Sequence, residues 1–349
     1  MSYTTINNGS LFMNPTLYTG NGSTQSINVG FQPDFTWIKT RSGSTGTEGH
    51  RLQDAVRGST KYLESNGTAQ EGTQAQGVTS FTSTGFNLGT DGSYNYNTAP
   101  IVSWNWKAGG GQGSSNTDGS INTTYTSVNT TAGFSISKYT GTGANATIGH
   151  GLGSVPKMMI VKVLSTTNQW FVYHQALGNT KKLNLDDTSA ESVQNNLWND
   201  TTPTSSVFSV GNHTGANASG ATYIAYCFAE KTGYSKFGSY TGNNNADGTF
   251  VYTGFKPAFV MFKCSTNAAN WGIYDNERVG YNEVKNVLFP DLSNAENTDL
   301  APIDLLSNGF KMRRNDSASD INNKGGATYI YMAFGQSIVG TNNIPNNAF

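Results

Sequence analysis

Pro156-Lys-Met-Met-Ile-Val-Lys162 is an apolar run that opens on proline and closes on lysine, and the chain contains it three times. The other copies are Pro33-Asp-Phe-Thr-Trp-Ile-Lys39 and Pro257-Ala-Phe-Val-Met-Phe-Lys263. Upstream of each stands a Tyr-Thr-Gly tripeptide, beginning at Tyr18, Tyr139 and Tyr240, at 15, 17 and 17 residues from the proline. Downstream, 68, 67 and 72 residues after the prolines, come Ile101-Val-Ser-Trp-Asn-Trp-Lys107, Tyr223-Ile-Ala-Tyr-Cys-Phe-Ala229 and Tyr329-Ile-Tyr-Met-Ala-Phe-Gly335. Constant order at near-constant spacing marks an internal repeat, one unit built three times over roughly residues 18–107, 139–230 and 240–336.

Alternation within the runs predicts strands and assigns their faces. In the closing runs Val102/Trp104/Trp106, Ile224/Tyr226/Phe228 and Ile330/Met332/Phe334 share one face. The opposite face is Ile101, Ser103, Asn105 and Lys107 in the first unit. In the second it is Tyr223, Ala225, Cys227 and Ala229, and in the third Tyr329, Tyr331 and Ala333. The first unit's sheet is therefore expected to have a wet back, and the other two to be covered on both faces. Asn-Gly and Asp-Gly steps between the strands, such as Asn21-Gly22 and Asp247-Gly248, supply turns. The expected fold is all-β, three tandem antiparallel β-sandwich repeats of jelly-roll kind with short helices in loops. Helices are expected near 191–198 and 282–288. The domain reading is a first repeat over 1–107 with an N-terminal leader and a linker over 108–133. A second repeat follows over 134–230, and a third over 231–349 with a polar C-terminal tail. The linker is expected to be flexible by composition, and the second and third units to pack as a rigid pair.

Gly, Asn, Ser and Thr make up 158 of 349 residues, against 12% charged residues, which excludes a helical bundle or coiled coil. Aromatic residues at 12% argue against disorder. A net charge of −1 without a basic run lacks the footprint of a nucleic-acid binder. No run approaches the ~18 apolar residues of a membrane span, and Met1 to Gly20 does not read as a signal peptide. Cys227 and Cys264 cannot build a disulfide framework and read as small buried hydrophobes.

No phosphate loop, zinc-protease or nucleophile-elbow motif is present, and the four histidines lack ligand spacing. Asn243-Asn-Asn245-Ala-Asp247-Gly248 begins like a calcium loop. Gly254 stands where the bidentate glutamate belongs, so it reads as a hairpin turn. Asp186-Asp187 and Asp275/Glu277 are acid pairs that do not recur between units. No enzyme activity, metal or cofactor is expected. Trp170, Tyr173, His174 and Trp271, Tyr274, Asp275 are matched sets, each eight, eleven and twelve residues after its lysine. A tryptophan beside polar groups can stack on a sugar. The same recurrence suits core packing, which every unit must rebuild, and the recurrence favours the core.

Tyr139-Thr-Gly-Thr-Gly-Ala-Asn-Ala-Thr-Ile-Gly-His-Gly-Leu-Gly153, Trp170-Phe-Val-Tyr-His174 and Gly220-Ala-Thr-Tyr-Ile-Ala-Tyr-Cys-Phe-Ala229 resemble a domain of tailed-bacteriophage virion proteins, notably of marine and cyanobacterial phages. His50-Arg-Leu-Gln-Asp-Ala-Val-Arg-Gly58 is similar to such proteins too. The first unit departs from the pattern by lacking His-Gly-Leu-Gly. The resemblance implies a non-enzymatic virion structural protein on the particle surface, of tail-fibre or adhesin type, contacting host surface glycans. The alternative is a capsid or tail decoration protein acting through protein–protein contacts. Implied partners are other virion proteins, host glycan and further copies of the chain, without nucleic acid or membrane. The implied location is the virion, assembled in the host cytoplasm.

Overall fold

The computed structural model describes residues 4–42, 48–315 and 320–336. Residues 337–349 of the expected tail lie outside them. Each unit contains the same four-stranded antiparallel sheet. In the first, the order is Met13–Thr19, Pro100–Trp106, Phe35–Thr40, Arg51–Asp54. In the second it is Phe134–Thr140, Thr222–Ala229, Pro156–Val163, Phe171–His174. In the third it is Ser235–Thr241, Thr328–Gly335, Pro257–Cys264, Gly272–Asp275. The proline run and the closing run are thus neighbours in the two middle strands, where aromatic and β-branched residues fit a surface packed on both faces. A smaller antiparallel sheet backs each unit, pairing Gln25–Asn28, Ala146–Gly149 and Phe250–Tyr252 with Gly85–Leu88, Val207–Val210 and Gly309–Met312.

The Tyr-Thr-Gly tripeptide is explained by the loop it meets. The hydroxyls of Tyr18, Tyr139 and Tyr240 donate to the carbonyls of Tyr94, Ala216 and Asn322 at 2.8, 2.7 and 2.8 Å. A Cβ on Gly20, Gly141 or Gly242 would lie 2.1–2.4 Å from a carbonyl oxygen of that same loop. One asparagine per loop completes the joint: the side-chain oxygens of Asn95, Asn217 and Asn323 accept the N–H of Asn21, Thr142 and Asn243. Single helical turns form there, Gly92–Asn95 and Thr214–Asn217. The helices expected near 191–198 and 282–288 do not form. Residues 192–193 are a short strand, and Asn199 and Asp200 turn with positive φ. The span 282–288 contributes isolated bridges to neighbouring strands.

The two faces of the large sheets bury into different cores. Their backs pack on the small sheets, giving each unit a private core around Phe86, Phe208 or Phe310. Their fronts meet in one core shared by all three units. Trp106, Phe228 and Phe334, at one register position of the three closing strands, form a triangle with ring separations of 6.5, 6.1 and 5.9 Å. Burial of such side chains contributes about 2–3 kcal/mol each, so the triangle ties three sandwiches into one body. Among the described residues no helix is long and apolar enough to cross a membrane.

Two further expectations differ from this structure. The back of the first closing strand is dry, because Ser103 and Asn105 are fully buried. The Asn105 Nδ2 donates to the Asn14 carbonyl at 3.0 Å and to Ser103, which offsets its loss of water, while its Oδ1 is buried without a partner. Residues 108–133 do not form a free linker. Asp34 accepts the N–H groups of Ala108, Gly110 and Gly111 at 2.7–2.9 Å, and Tyr125–Asn129 adds an edge strand to the second sheet. The glycines serve geometry: Gly113 has φ +78°, and a Cβ there would meet the Thr126 carbonyl oxygen at 2.0 Å.

Candidate functional site

The six residues singled out from the sequence are all at or below 2% exposed, so none offers a face to a ligand. The units contact one another cyclically, and four of these residues build the contacts. The indole N–H of Trp170 donates to the Glu64 carbonyl of the first unit, and that of Trp271 to the Asn184 carbonyl of the second. Tyr173 and Tyr274 face the private cores, where the Tyr274 hydroxyl reaches the Ala301 carbonyl.

His50 is the residue sequence reasoning missed. It precedes Asp54 by four, as Trp170 precedes His174 and Trp271 precedes Asp275. It closes the ring by contacting the Phe289 carbonyl of the third unit at 3.0 Å. Its Nδ1 accepts the Trp37 indole N–H at 2.9 Å, which makes Nε2 the donor. Burial pushes the His50 imidazole well below its usual pKa and keeps it neutral.

The lysines closing the proline runs work at the same seams. Lys39, Lys162 and Lys263 are buried, and each ammonium reaches a carbonyl of a neighbouring unit, from Ser293, Thr68 and Thr188 respectively. Desolvation lowers all three to about 8. Their recurrence inside apolar runs was the sequence signal for this role.

At the strand ends, Asp54 accepts Tyr226 Oη of the second unit at 2.7 Å, and Asp275 accepts Trp104 Nε1 of the first at 2.8 Å. Each is paired with a buried arginine three residues on, Arg57 at 2.5 Å and Arg278 at 2.6 Å. His174 holds this position in the second unit, with Nε2 3.2 Å from the Tyr331 carbonyl and burial lowering it to about 4. Asp275 is thereby committed to structure and does not form an acid pair with Glu277 across a cleft.

Outside the shared frame, the third unit runs from Asp275 to Ile303 without a regular strand or helix, and this is where a groove of about 310 Å³ opens. Lys256, Asn276, Glu277, Tyr281, Asn282 and Gln336 contribute its polar and aromatic lining. Tyr281 is 71% exposed. Its position is fixed by Asn282, whose amide exchanges two hydrogen bonds with the Leu305 backbone at 2.9 and 3.1 Å. Glu277 is the one acid in the lining, and burial, then the Asp275 charge, raise its carboxyl above the ordinary range. Among the described residues no group of three or more His, Cys, Asp or Glu side chains is placed to hold a metal ion. Asp247 of the calcium-like segment pairs with Lys311.

The chain belongs to a family described as a domain of unknown function (DUF7483), whose model matches residues 8–337, nearly the whole length. No curated protein matches it.

Proposed function

For a chain of this family whose three units close into one body, we propose a non-enzymatic structural role on the surface of a bacteriophage particle, contacting host glycans. The observation that carries the reading is the division between inside and outside. The seams repeat the same positions in all three units, whereas the groove beside Tyr281 is lined by third-unit residues that the other units do not repeat. A frame held constant under one divergent contact region suits a protein whose work is presentation. Its near-neutral, charge-poor composition makes contact insensitive to ionic strength.

The test is mass spectrometry of density-purified particles with labelling by a specific antibody in electron microscopy. Stoichiometric recovery and surface label are expected; recovery only from the soluble lysate would overturn the proposal. Self-association belongs to the same reading and is measured by light scattering. A mass of several chains is expected, and a single 37.3 kDa species would remove that part.

One feature favours a decoration protein instead. Phe250 and Tyr252, 43% and 61% exposed, stand on the outer face of the third small sheet, where the other units carry Ser26/Asn28 and Thr147/Gly149. Binding to particles unchanged by removing host glycan, but lost in Tyr252→Ser, would select that reading.

A further inference from the structure

We propose that the groove beside Tyr281 is a binding site for a neutral saccharide, with Tyr281 as the stacking platform and Asn276 and Glu277 as hydroxyl acceptors. The inference takes its setting from the glycan-contact reading above and adds the site and its chemistry.

The lining is chosen for a ligand that donates hydrogen bonds. Asn276 Nδ2 donates to Glu277 Oε1 at 2.8 Å, which fixes the amide orientation, since the flipped amide would set oxygen against carboxylate. Asn276 Oδ1 is left buried without a partner. An orphaned buried acceptor costs about 1–3 kcal/mol until a donor arrives. Gln336 Nε2 is already engaged by the Pro257 carbonyl at 3.0 Å. The acceptors therefore outnumber the free donors that the side chains Asn276, Glu277 and Gln336 present, and sugar hydroxyls supply what is missing. Lys256 and Glu277 together leave the lining without net charge, which suits a neutral ligand rather than a phosphate or carboxylate.

Tyr281 adds the flat apolar face that a pyranose ring covers with its C–H groups. It is the most exposed large hydrophobic residue described. A second hollow of about 190 Å³ shares Asn276, Glu277 and Gln336 with the first and extends toward Met13–Pro15 of the first unit, so the site has room to continue along a chain of sugars. The combined size falls in the ordinary range of small-molecule sites.

The site occurs once per chain. The positions of Asn276 and Glu277 are held by Ala55 and Val56 in the first unit and by Gln175 and Ala176 in the second. Gly280-Tyr281 is replaced by Gly58-Ser59 and Gly178-Asn179.

The experiment is saturation-transfer NMR and titration calorimetry of the full chain against neutral oligosaccharides built from glucose, galactose and mannose. At least one should bind with 1:1 stoichiometry. Tyr281→Ala should weaken it tenfold or more, Tyr281→Phe less than twofold, and Tyr96→Ala on the first unit not at all. Thermal unfolding of Tyr281→Ala should match the parent, because the side chain is exposed. Absence of binding across the panel, or binding unaffected by Tyr281→Ala, would overturn the site. Saccharide binding is measured on isolated protein and particle location on purified phage, so the two proposals fail separately.

Discussion

Two seams of this molecule carry a buried ion pair and the third does not. Where the first unit meets the second, Asp54 and Arg57 pair in full burial and Tyr226 donates to the same carboxylate. Where the third meets the first, Asp275, Arg278 and Trp104 repeat the arrangement. Where the second meets the third, the pair becomes His174 and Leu177, facing Met332. The difference follows from the donor. Trp104 and Tyr226 bring an N–H or O–H to the carboxylate, whereas methionine brings none, and a lone buried carboxylate would be costly. A neutral histidine that donates to a backbone carbonyl removes the charge and the need for its counter-ion together. Seam chemistry is thus set by the middle residue of the neighbouring closing strand.

The largest effect should come from breaking one ion-paired seam. Asp54→Ala strands Arg57, whose remaining acid is Glu71 at 3.5 Å, and should cost about 3–5 kcal/mol in urea unfolding. Asp275→Ala should cost less, since Glu296 stays 3.0 Å from Arg278. Equal losses would show that the counter-charge is immaterial. The tryptophans come next: Trp170→Ala and Trp271→Ala should each lose roughly 3–5 kcal/mol as buried aromatics. Unchanged melting temperatures would contradict their place in the core.

The neutral seam has its own signature in pH. His174 is near 4 when folded and regains its ordinary value of 6.5 on unfolding. Its contribution is complete above pH 6.5 and is lost as pH falls toward 4, by about 3 kcal/mol. His174→Gln should flatten that slope in thermal melts, leaving the part due to His50, His150 and His213, which burial also lowers. Asp291 works in the opposite sense, raised to about 7 by burial although its Oδ1 caps the Trp271 N–H. Asn66 performs the same capping for His50 without charge. The folded pKa lies above the unfolded one, so the penalty is present above pH 7 and fades as pH falls to 3.8. Asp291→Asn should stabilise the protein at pH 8, by up to about 4 kcal/mol if the whole shift is a penalty, and do nothing at pH 4.

The sequence made the units legible because each must rebuild its own sandwich. Tyr-Thr-Gly, the proline run and the closing run recur for local reasons, and their alternation correctly sorted Trp104, Tyr226 and Met332 onto one face. It did not show that the three faces meet. The bonds that join them, Asp54 to Tyr226 and Asp275 to Trp104, span 172 and 171 residues, and periodicity carries no such information. Polar side chains misled the reading of the first closing strand, because the Asn105 Nδ2 finds acceptors on Asn14 and Ser103 inside the sheet. Single helical turns such as Gly92–Asn95 are too short to carry a 3.6-residue period. The groove was invisible for another reason: Tyr281 and Asn276 do not recur, and a search guided by recurrence passes over them.

Three sandwiches joined through the shared core should unfold as one cooperative body. Native-state hydrogen exchange in increasing urea, read on the closing strands Pro100–Trp106, Thr222–Ala229 and Thr328–Gly335, tests it most directly. One common opening free energy and one urea dependence are expected for all three strands. Three separate values, with each strand released at its own denaturant concentration, would contradict it.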